Sequence, residues 1–234
     1  MTLLTASIVI LGLASLALTA WFLAFGPLVV VGVAVDPRLA LALDAALCLL
    51  FFLQHSVMVR RGFRHRLAGV LPYAYHGLFY TFGSAVALFI LVLLWQPHPL
   101  VLMDAGGVFR IALRLVLLIA GAGFLWSILA LRGFDPFGLK SLRQQNQELN
   151  PKSEQFQVRG PYRWVRHPIY FFSLLVIWAY PTLTADRLLF NTLWTLWIVV
   201  GTILEERDLT AEFGEQYTAY QQRVPMLLPL RRPT

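Results

Sequence analysis

The sequence predicts an all-α fold, a polytopic bundle of about six transmembrane helices in which the last two helices form a tight hairpin. Three observations support this prediction. Of 234 residues, 58% are hydrophobic and only 13% are charged, whereas soluble domains carry about 25% charged residues. Several long stretches contain no charged residue at all. The basic residues are concentrated in the loops between these stretches.

A helix needs roughly 20 mostly apolar residues to cross a bilayer. On this criterion we expect spans over residues 4–33, 38–59, 74–95, 110–131, 168–182 and 188–205. Residues 1–37 contain no Lys or Arg, and the first apolar run is too long for the apolar core of a signal peptide, so we interpret it as a retained span. Gly26-Pro27 is expected to bend or end this helix.

The distribution of basic residues predicts the orientation of the chain. Most of the 19 Lys and Arg residues follow the second, fourth and sixth spans, and the side rich in basic residues is expected to be cytoplasmic. Both termini would then be cytoplasmic, and the net charge of +7 reflects topology and not nucleic-acid binding. The single cysteine, Cys48, excludes an intrachain disulfide. We divide the chain into four N-terminal spans, 1–131, and a C-terminal core, 132–234.

The C-terminal core contains three predicted parts. Residues 132–166 form a long polar cytoplasmic segment with several Gly and Pro turn signals. The last two spans are separated only by residues 183–187, which predicts the hairpin. From 205 to 220 we expect one helix continuing from the last span, ended before Pro225, because its apolar and aromatic residues recur on one helical face. These residues are Leu209, Phe213, Tyr217 and Tyr220.

Two polar clusters are the candidates for chemistry. Residues 159–170 combine three arginines, aromatic residues and His167, and Pro168 sets the first turn of a helix whose free N–H groups would suit an anion. An interfacial belt is the plainer interpretation of this composition. Glu205 and Glu206 form an acidic pair at the cytoplasmic membrane edge, where ionisable groups suggest function. Together the clusters would suit a zwitterionic cofactor such as S-adenosylmethionine (AdoMet), although an ion-pair network with Arg163 or Arg166 remains open.

Four ordered motifs resemble the isoprenylcysteine carboxyl methyltransferase superfamily of membrane enzymes. They are Gly160-Pro-Tyr-Arg163, Arg166-His-Pro-Ile-Tyr170, Glu205-Glu206-Arg207, and Phe213-Gly-Glu-Gln-Tyr-Thr-Ala-Tyr220 with Val224-Pro225. Within that superfamily, Gln54-His55-Ser56-Val-Met58, Asp135-Pro-Phe-Gly-Leu139, Glu205-Glu-Arg-Asp-Leu209 and Val224-Pro-Met-Leu-Leu-Pro229 are similar to bacterial methanethiol S-methyltransferases. The resemblance implies an AdoMet-dependent methyltransferase in a membrane, the bacterial inner membrane by analogy, with its active site on the cytoplasmic side.

The resemblance also implies which residues form the site. The cofactor would be held by Arg163, Arg166, His167, Pro168, Tyr170, Glu205, Glu206, Tyr217 and Tyr220. His167, Arg207 and Arg166 are the candidates to activate the nucleophile, and His55 and Arg207 would lie on the acceptor side. One departure is Phe172, where the family usually has a glycine close to the cofactor; we expect it to shift the adenine or narrow the acceptor tunnel.

The acceptor is expected to be a small thiol such as methanethiol, entering through the bilayer among membrane lipids. An isoprenylcysteine-like or other lipid-like thiol or carboxylate is the alternative. Two other classes of function stay open: a b-type haem protein ligated by His55 and His76, and a non-catalytic scaffold. We assign no metal site, and the sequence does not indicate the oligomeric state.

Overall fold

A computed structural model of the chain describes residues 2–32, 36–131, 135, 137–139, 142 and 156–230, apart from the side chain of Arg61. The helices are α1 Leu3–Phe25, α2 Pro37–Val59, α3 Arg61–Leu67, α4 His76–Leu94, α5 Gly107–Ala130, α6 Pro168–Trp178, α7 Ala185–Phe213 and α8 Glu215–Arg223. Short 3-10 turns cover Tyr73–Tyr75 and Gly160–Arg163, and two short strands, β1 Val101–Asp104 and β2 Thr182–Thr184, pair with each other. The predicted all-α fold class is therefore confirmed. Most of the predicted polar segment 132–166 lies outside the described residues.

Five described helices are long and apolar enough to cross a membrane, namely α1, α2, Tyr73–Leu94, α5 and α7. The fifth predicted span, 168–182, is instead the 11-residue helix α6. At 1.5 Å per residue it is about 16 Å long, roughly half of the hydrocarbon thickness. Its apolar composition suggested a span, but α6 ends before Ala179 and the chain enters β2 at Thr182. The structure thus favours five spans plus one short hairpin arm.

The first compact unit contains α1 to α4 and the first residues of α7. Both α1 and α2 pack against α4. Helix α1 ends at Phe25 and Gly26 adopts a φ of 98°, which a helix cannot continue. The prediction that Gly26-Pro27 bends or ends this helix is confirmed, and the predicted first span, 4–33, is therefore too long. Arg187 donates to the carbonyls of Phe22 and Leu23 at 3.2 and 3.0 Å. The Phe22 carbonyl also accepts from the Gly26 N–H at 3.0 Å, whereas the residue that would donate to Leu23 is Pro27, which has no N–H. Arg187 therefore supplies a donor to a carbonyl that lacks a partner within α1.

The connection between the last two predicted helices also differs from the expectation of a loop over 183–187. Helix α7 begins at Ala185, so Asp186 and Arg187 lie in its first turn, and both are 3% exposed. Asp186 accepts from the Trp95 indole N–H at 3.0 Å and from the His98 backbone N–H at 3.1 Å. Partners distant in sequence therefore satisfy these side chains inside the first unit.

The second compact unit contains α5, α6, most of α7 and α8. Helix α6 packs against α5, and the Phe172 ring lies directly over Gly123, where an added Cβ would be 2.3 Å from the ring. Helices α6 and α7 lie side by side, since Trp178 donates to the Thr195 hydroxyl at 3.0 Å at one end of the pair. At the other end Tyr170 donates to Glu205 at 2.7 Å. The predicted hairpin is confirmed in this form.

The tail is two helices and not the single helix predicted over 205–220. Gly214 has a φ of 55° between α7 and α8, a left-handed conformation that glycine adopts without a steric cost and that a helix interior excludes. The shared face nevertheless survives the break. Leu209, Phe213, Tyr217 and Tyr220 pack in one cluster with Phe156, Val158 and Val224.

Candidate active site

Backbone contacts alone fix the position of the motif that contains Arg166 and His167. The 3-10 turn Gly160–Arg163 begins at a glycine with a φ of 53°, and Pro168 is the first residue of α6, a position at which proline lacks no helical hydrogen bond. Between them, the N–H groups of Arg166 and His167 donate to the carbonyls of Pro225 and Met226 at 2.9 and 3.1 Å. The C-terminal tail therefore holds this motif in an extended conformation.

Glu206 is the centre of the polar cluster. Arg166 donates to it in a two-pronged geometry, from Nε to Oε1 at 2.6 Å and from Nη2 to Oε2 at 2.9 Å. Gln221 donates to Oε2 at 3.1 Å and Tyr217 to Oε1 at 3.4 Å. The Arg166 and Glu206 side chains are only 9% and 13% exposed. A bidentate pair with its remaining lone pairs occupied is the arrangement in which a buried ion pair is stable.

Arg166 also closes the end of α8. Its Nη1 donates to the carbonyl of Gln221 at 3.1 Å and, closely, to that of Val224. Last-turn carbonyls of a helix lack partners within the helix, and a cation there is favourable. Since its donors are directed at Glu206 and at these carbonyls, Arg166 connects α6, α7 and α8. The ion-pair network with Arg166, an alternative left open from the sequence, is present.

Glu205, the adjacent carboxylate, has a different environment. Its side chain is 43% exposed, and it accepts a hydrogen bond from the Tyr170 hydroxyl at 2.7 Å. The Tyr170 ring stacks on the His167 ring at 5.6 Å with an interplanar angle of 16°. Glu205 therefore combines an accessible carboxylate with two aromatic rings, whereas Glu206 is surrounded by donors of this chain.

His167 lies between the two carboxylates and is 5% exposed. Its Nε2 is 3.1 Å from Glu206 Oε1 and its Nδ1 is 3.8 Å from Glu205 Oε2. Burial lowers the pKa of His167 below its ordinary value of 6.5, and nearby Arg166 acts in the same direction, against the two carboxylates that raise it. The ring is therefore neutral at pH 7. Because an ionised carboxylate only accepts, the proton of the neutral ring belongs on Nε2, which leaves Nδ1 as an acceptor.

The two tail tyrosines are structural in their contacts. Tyr217 is 2% exposed and Tyr220 is 8% exposed. The Tyr220 hydroxyl donates to the carbonyl of Tyr162 at 2.5 Å, which ties α8 to the 3-10 turn. Burial raises the pKa of both phenols above the ordinary value of 10.0, so both stay protonated donors. They enclose the cluster from the side of the tail.

The structure thus brings most of the predicted residues together, but not all. Arg163 and Arg207 are exposed, and within the described part of the chain neither has a recorded hydrogen-bond or ion-pair partner. Gln221 was missed by the sequence reasoning. It lies four residues after Tyr217, on the same face of α8, but its polar side chain is not part of the apolar and aromatic periodicity that marks this face.

His55 belongs to the first unit, on α2. A ring nitrogen of His55 lies 2.9 Å from the Tyr80 hydroxyl of α4, and neighbouring Gln54 donates to the Ser84 hydroxyl at 3.3 Å. His76, the other histidine considered for haem, has its Nε2 2.9 Å from the carbonyl of Leu71. Each imidazole therefore has a protein partner within the same unit.

Comparisons with known proteins agree with the motif resemblance. Residues 109–216 match the sequence profile of the phospholipid methyltransferase family. The chain is 37% identical to the methanethiol S-methyltransferase of Pseudomonas deceptionensis over 83% of this chain and 75% of that protein. It is 36% identical to the methanethiol S-methyltransferase of Mycobacterium tuberculosis over 81% of this chain and 78% of that protein.

A further relative is Nurim of Rattus norvegicus, which is 30% identical over 73% of this chain and 68% of that protein. No solved structure shows significant similarity to the chain. The matched region 109–216 extends from α5 into α8 and includes the 3-10 turn, His167 and both carboxylates. With five helices that are long and apolar enough to cross a membrane, the chain belongs to the phospholipid methyltransferase family of integral membrane methyltransferases, together with the methanethiol S-methyltransferases it resembles.

Proposed function

We propose that the methyl donor is AdoMet and that the acceptor is a small thiol, with methanethiol as the first candidate. The observation that carries the proposal is the accessible Glu205 carboxylate beside the stacked rings of His167 and Tyr170, in a chain similar over most of its length to methanethiol S-methyltransferases. AdoMet carries an ammonium group and a sulfonium cation. A carboxylate suits the first, and the faces of aromatic rings attract cations.

The residues of the cluster fit such a donor in distinct ways. Glu205 would accept from the ammonium group, because it has an exposed side chain and only one hydrogen bond within the described residues. Glu206 would act through Arg166 and His167, whose positions it fixes. Tyr217 and Tyr220 would close the site by holding α8 against the 3-10 turn. Pro168 would contribute by starting α6, and Arg163 would reach the donor only from outside the cluster.

When bound, AdoMet supplies a methyl group already activated by the sulfonium. The task of the chain is then to hold a thiolate sulfur in line with that methyl, and such alignment contributes several kcal/mol to lowering the barrier. The Nδ1 of His167 would be the acceptor of a ring whose pKa burial lowers, which suits it to receive a thiol proton only transiently. Arg207, exposed at the same end of α7, would stabilise the thiolate by its charge.

His55 and Arg207 remain our candidates for the acceptor side, on the strength of the motif resemblance. If this is correct, His55→Ala raises the KM for the thiol and leaves the affinity for AdoMet unchanged. A change confined to AdoMet affinity would remove His55 from the acceptor side. The cytoplasmic location of the cluster is likewise proposed, from the distribution of basic residues.

The test is a titration of the detergent-purified protein with AdoMet and with its demethylated product, followed by a methanethiol assay. We expect micromolar binding of both compounds and dimethyl sulfide in the headspace. Glu205→Gln should weaken AdoMet binding at least tenfold and lower the yield of dimethyl sulfide. Binding without dimethyl sulfide would move the acceptor to the lipid-like thiols or carboxylates. Failure of a well-folded protein to bind either compound would refute the donor and leave the scaffold alternative.

A further inference from the structure

A cleft on the second unit is lined by none of the residues that hydrogen-bond to Glu206. It has a volume of about 420 Å³ and is formed by the segment 156–163 and one side of α8. Phe156, Val158 and Val224 supply apolar walls, Tyr220 contributes its ring, and Arg163 and Arg223 supply the charge. The described residues that line it therefore carry two positive charges and no negative one.

Both guanidinium groups are available to a ligand. Arg163 and Arg223 are exposed, and within the residues that the structure describes no hydrogen bond or ion pair to either is recorded. The C-terminal position of Arg223 on α8 is favourable for a cation in any case. This electrostatic benefit of a helix C-terminus does not apply to Arg163, which lies at the end of a single 3-10 turn. Two arginines at one cleft, both without a partner among the described residues, are an arrangement suited to a phosphate group.

The depth of the cleft relative to the bilayer follows from its neighbours. The 3-10 turn packs against the end of α5, where an added Cβ on Gly160 would be 3.2 Å from Ala130 and 3.3 Å from Trp126. The next residue after Arg163 is Trp164, which is 42% exposed and meets the Trp126 ring edge-on at 5.2 Å. A pair of tryptophans at the end of a membrane-spanning helix marks the level of the lipid headgroups.

We propose that this cleft binds the headgroup of an anionic phospholipid, with the phosphate between Arg163 and Arg223 and the glycerol region against the apolar walls. The lipid is a structural ligand here and not a methyl acceptor. The proposal is independent of the identity of donor and acceptor. It also assigns a function to Arg163, which lies outside the Arg166–Glu206 cluster.

The experiment is native mass spectrometry of the whole detergent-purified protein titrated with phosphatidylglycerol or phosphatidylcholine. The test variant is Arg163→Gln with Arg223→Gln. The control, Arg64→Gln with Arg66→Gln, removes the same charge from two exposed residues of α3. We expect the wild type to retain phosphatidylglycerol preferentially. Each basic side chain at a membrane surface raises the affinity for an anionic lipid about fivefold. The test variant should therefore bind phosphatidylglycerol roughly 25-fold more weakly, and the control variant should match the wild type.

A second variant, Gln216→Arg, adds a charge to the lining of the same cleft and should tighten phosphatidylglycerol binding. Equal weakening in the test and control variants would overturn the proposal in favour of general surface charge. Inorganic phosphate binding as tightly as the lipid would overturn it in favour of a soluble anion. Loss of AdoMet affinity in the test variant, with lipid retention unchanged, would assign the cleft to the donor site instead.

Discussion

The two adjacent carboxylates allow a sharp test, because the same chemical change at Glu206 and at Glu205 should have different consequences. In Glu206→Gln, one acceptor oxygen is replaced by an amide NH₂. Arg166 and Gln221 both donate to Oε2, and Arg166, His167 and Tyr217 all face Oε1. Whichever way the new amide points, two N–H donors face each other on at least one side.

The expected cost follows from the burial of the partner. Arg166 has a side chain that is 9% exposed, and removing one member of a buried ion pair costs about 3 kcal/mol or more. For a chain of this length, about 3 kcal/mol corresponds to a fall in Tm of roughly 9 °C. We expect AdoMet affinity to fall as well, since the position of His167 depends on Glu206.

Glu205→Gln is the matched control. Its side chain is 43% exposed and keeps an acceptor for the Tyr170 hydroxyl, so stability should change by less than about 1 kcal/mol. Its AdoMet affinity should nevertheless fall at least tenfold. The measurements are a thermal unfolding scan and an AdoMet titration of the wild type and both variants in the same detergent. Equal Tm values for the two variants would refute the distinction drawn from burial.

Three further predictions concern single contacts. Gly123→Ala places a Cβ 2.3 Å from the Phe172 ring and should lower the free energy of unfolding by about 2 kcal/mol. In a double-mutant cycle, adding Phe172→Leu should recover part of this stability. Because burial lowers the pKa of His167, the unfolded chain binds the proton first as the pH falls below about 6.5. The free energy of unfolding should therefore fall as the pH is lowered below that value. Thermal scans of His167→Gln should show a smaller fall than those of the wild type. Gly214→Ala forces a left-handed conformation on alanine and should cost about 1 kcal/mol in the same scans; an unchanged Tm would contradict the break between α7 and α8.

The sequence was sufficient to predict those features that depend on local chemistry. Long charge-free runs predict helices wherever the surroundings are apolar, and the periodicity from Leu209 to Tyr220 predicts a shared face that survives the break at Gly214. The predictions were wrong where a feature depends on partners that are distant in the sequence. Asp186 and Arg187 look like solvated loop residues until Trp95 and the end of α1 are brought to them. An apolar run such as α6 looks the same whether lipid or protein surrounds it.

Phe172 illustrates why a departure from a family pattern needs its spatial partner. Read alone, a ring in place of a glycine suggests a narrower pocket. The ring instead occupies the space above Gly123 of α5, where no larger residue would fit, and Phe172 is 8% exposed. The bulk that the sequence adds on α6 is thus accommodated by a small residue on the facing helix, and the prediction that it narrows the acceptor tunnel has no support in these contacts.

The different environments of Glu205 and Glu206 follow from helix geometry. Consecutive residues on a helix point about 100° apart, so two carboxylates in a row have different sets of neighbours, although His167 lies between them. On α7 one of them faces Arg166 and the donors of α8, and the other faces Tyr170 on α6. A single carboxylate could not accept all of these hydrogen bonds and also stay accessible to a ligand. With two adjacent carboxylates, Glu206 accepts from the chain's own donors, while Glu205 stays accessible for the proposed ammonium group of AdoMet.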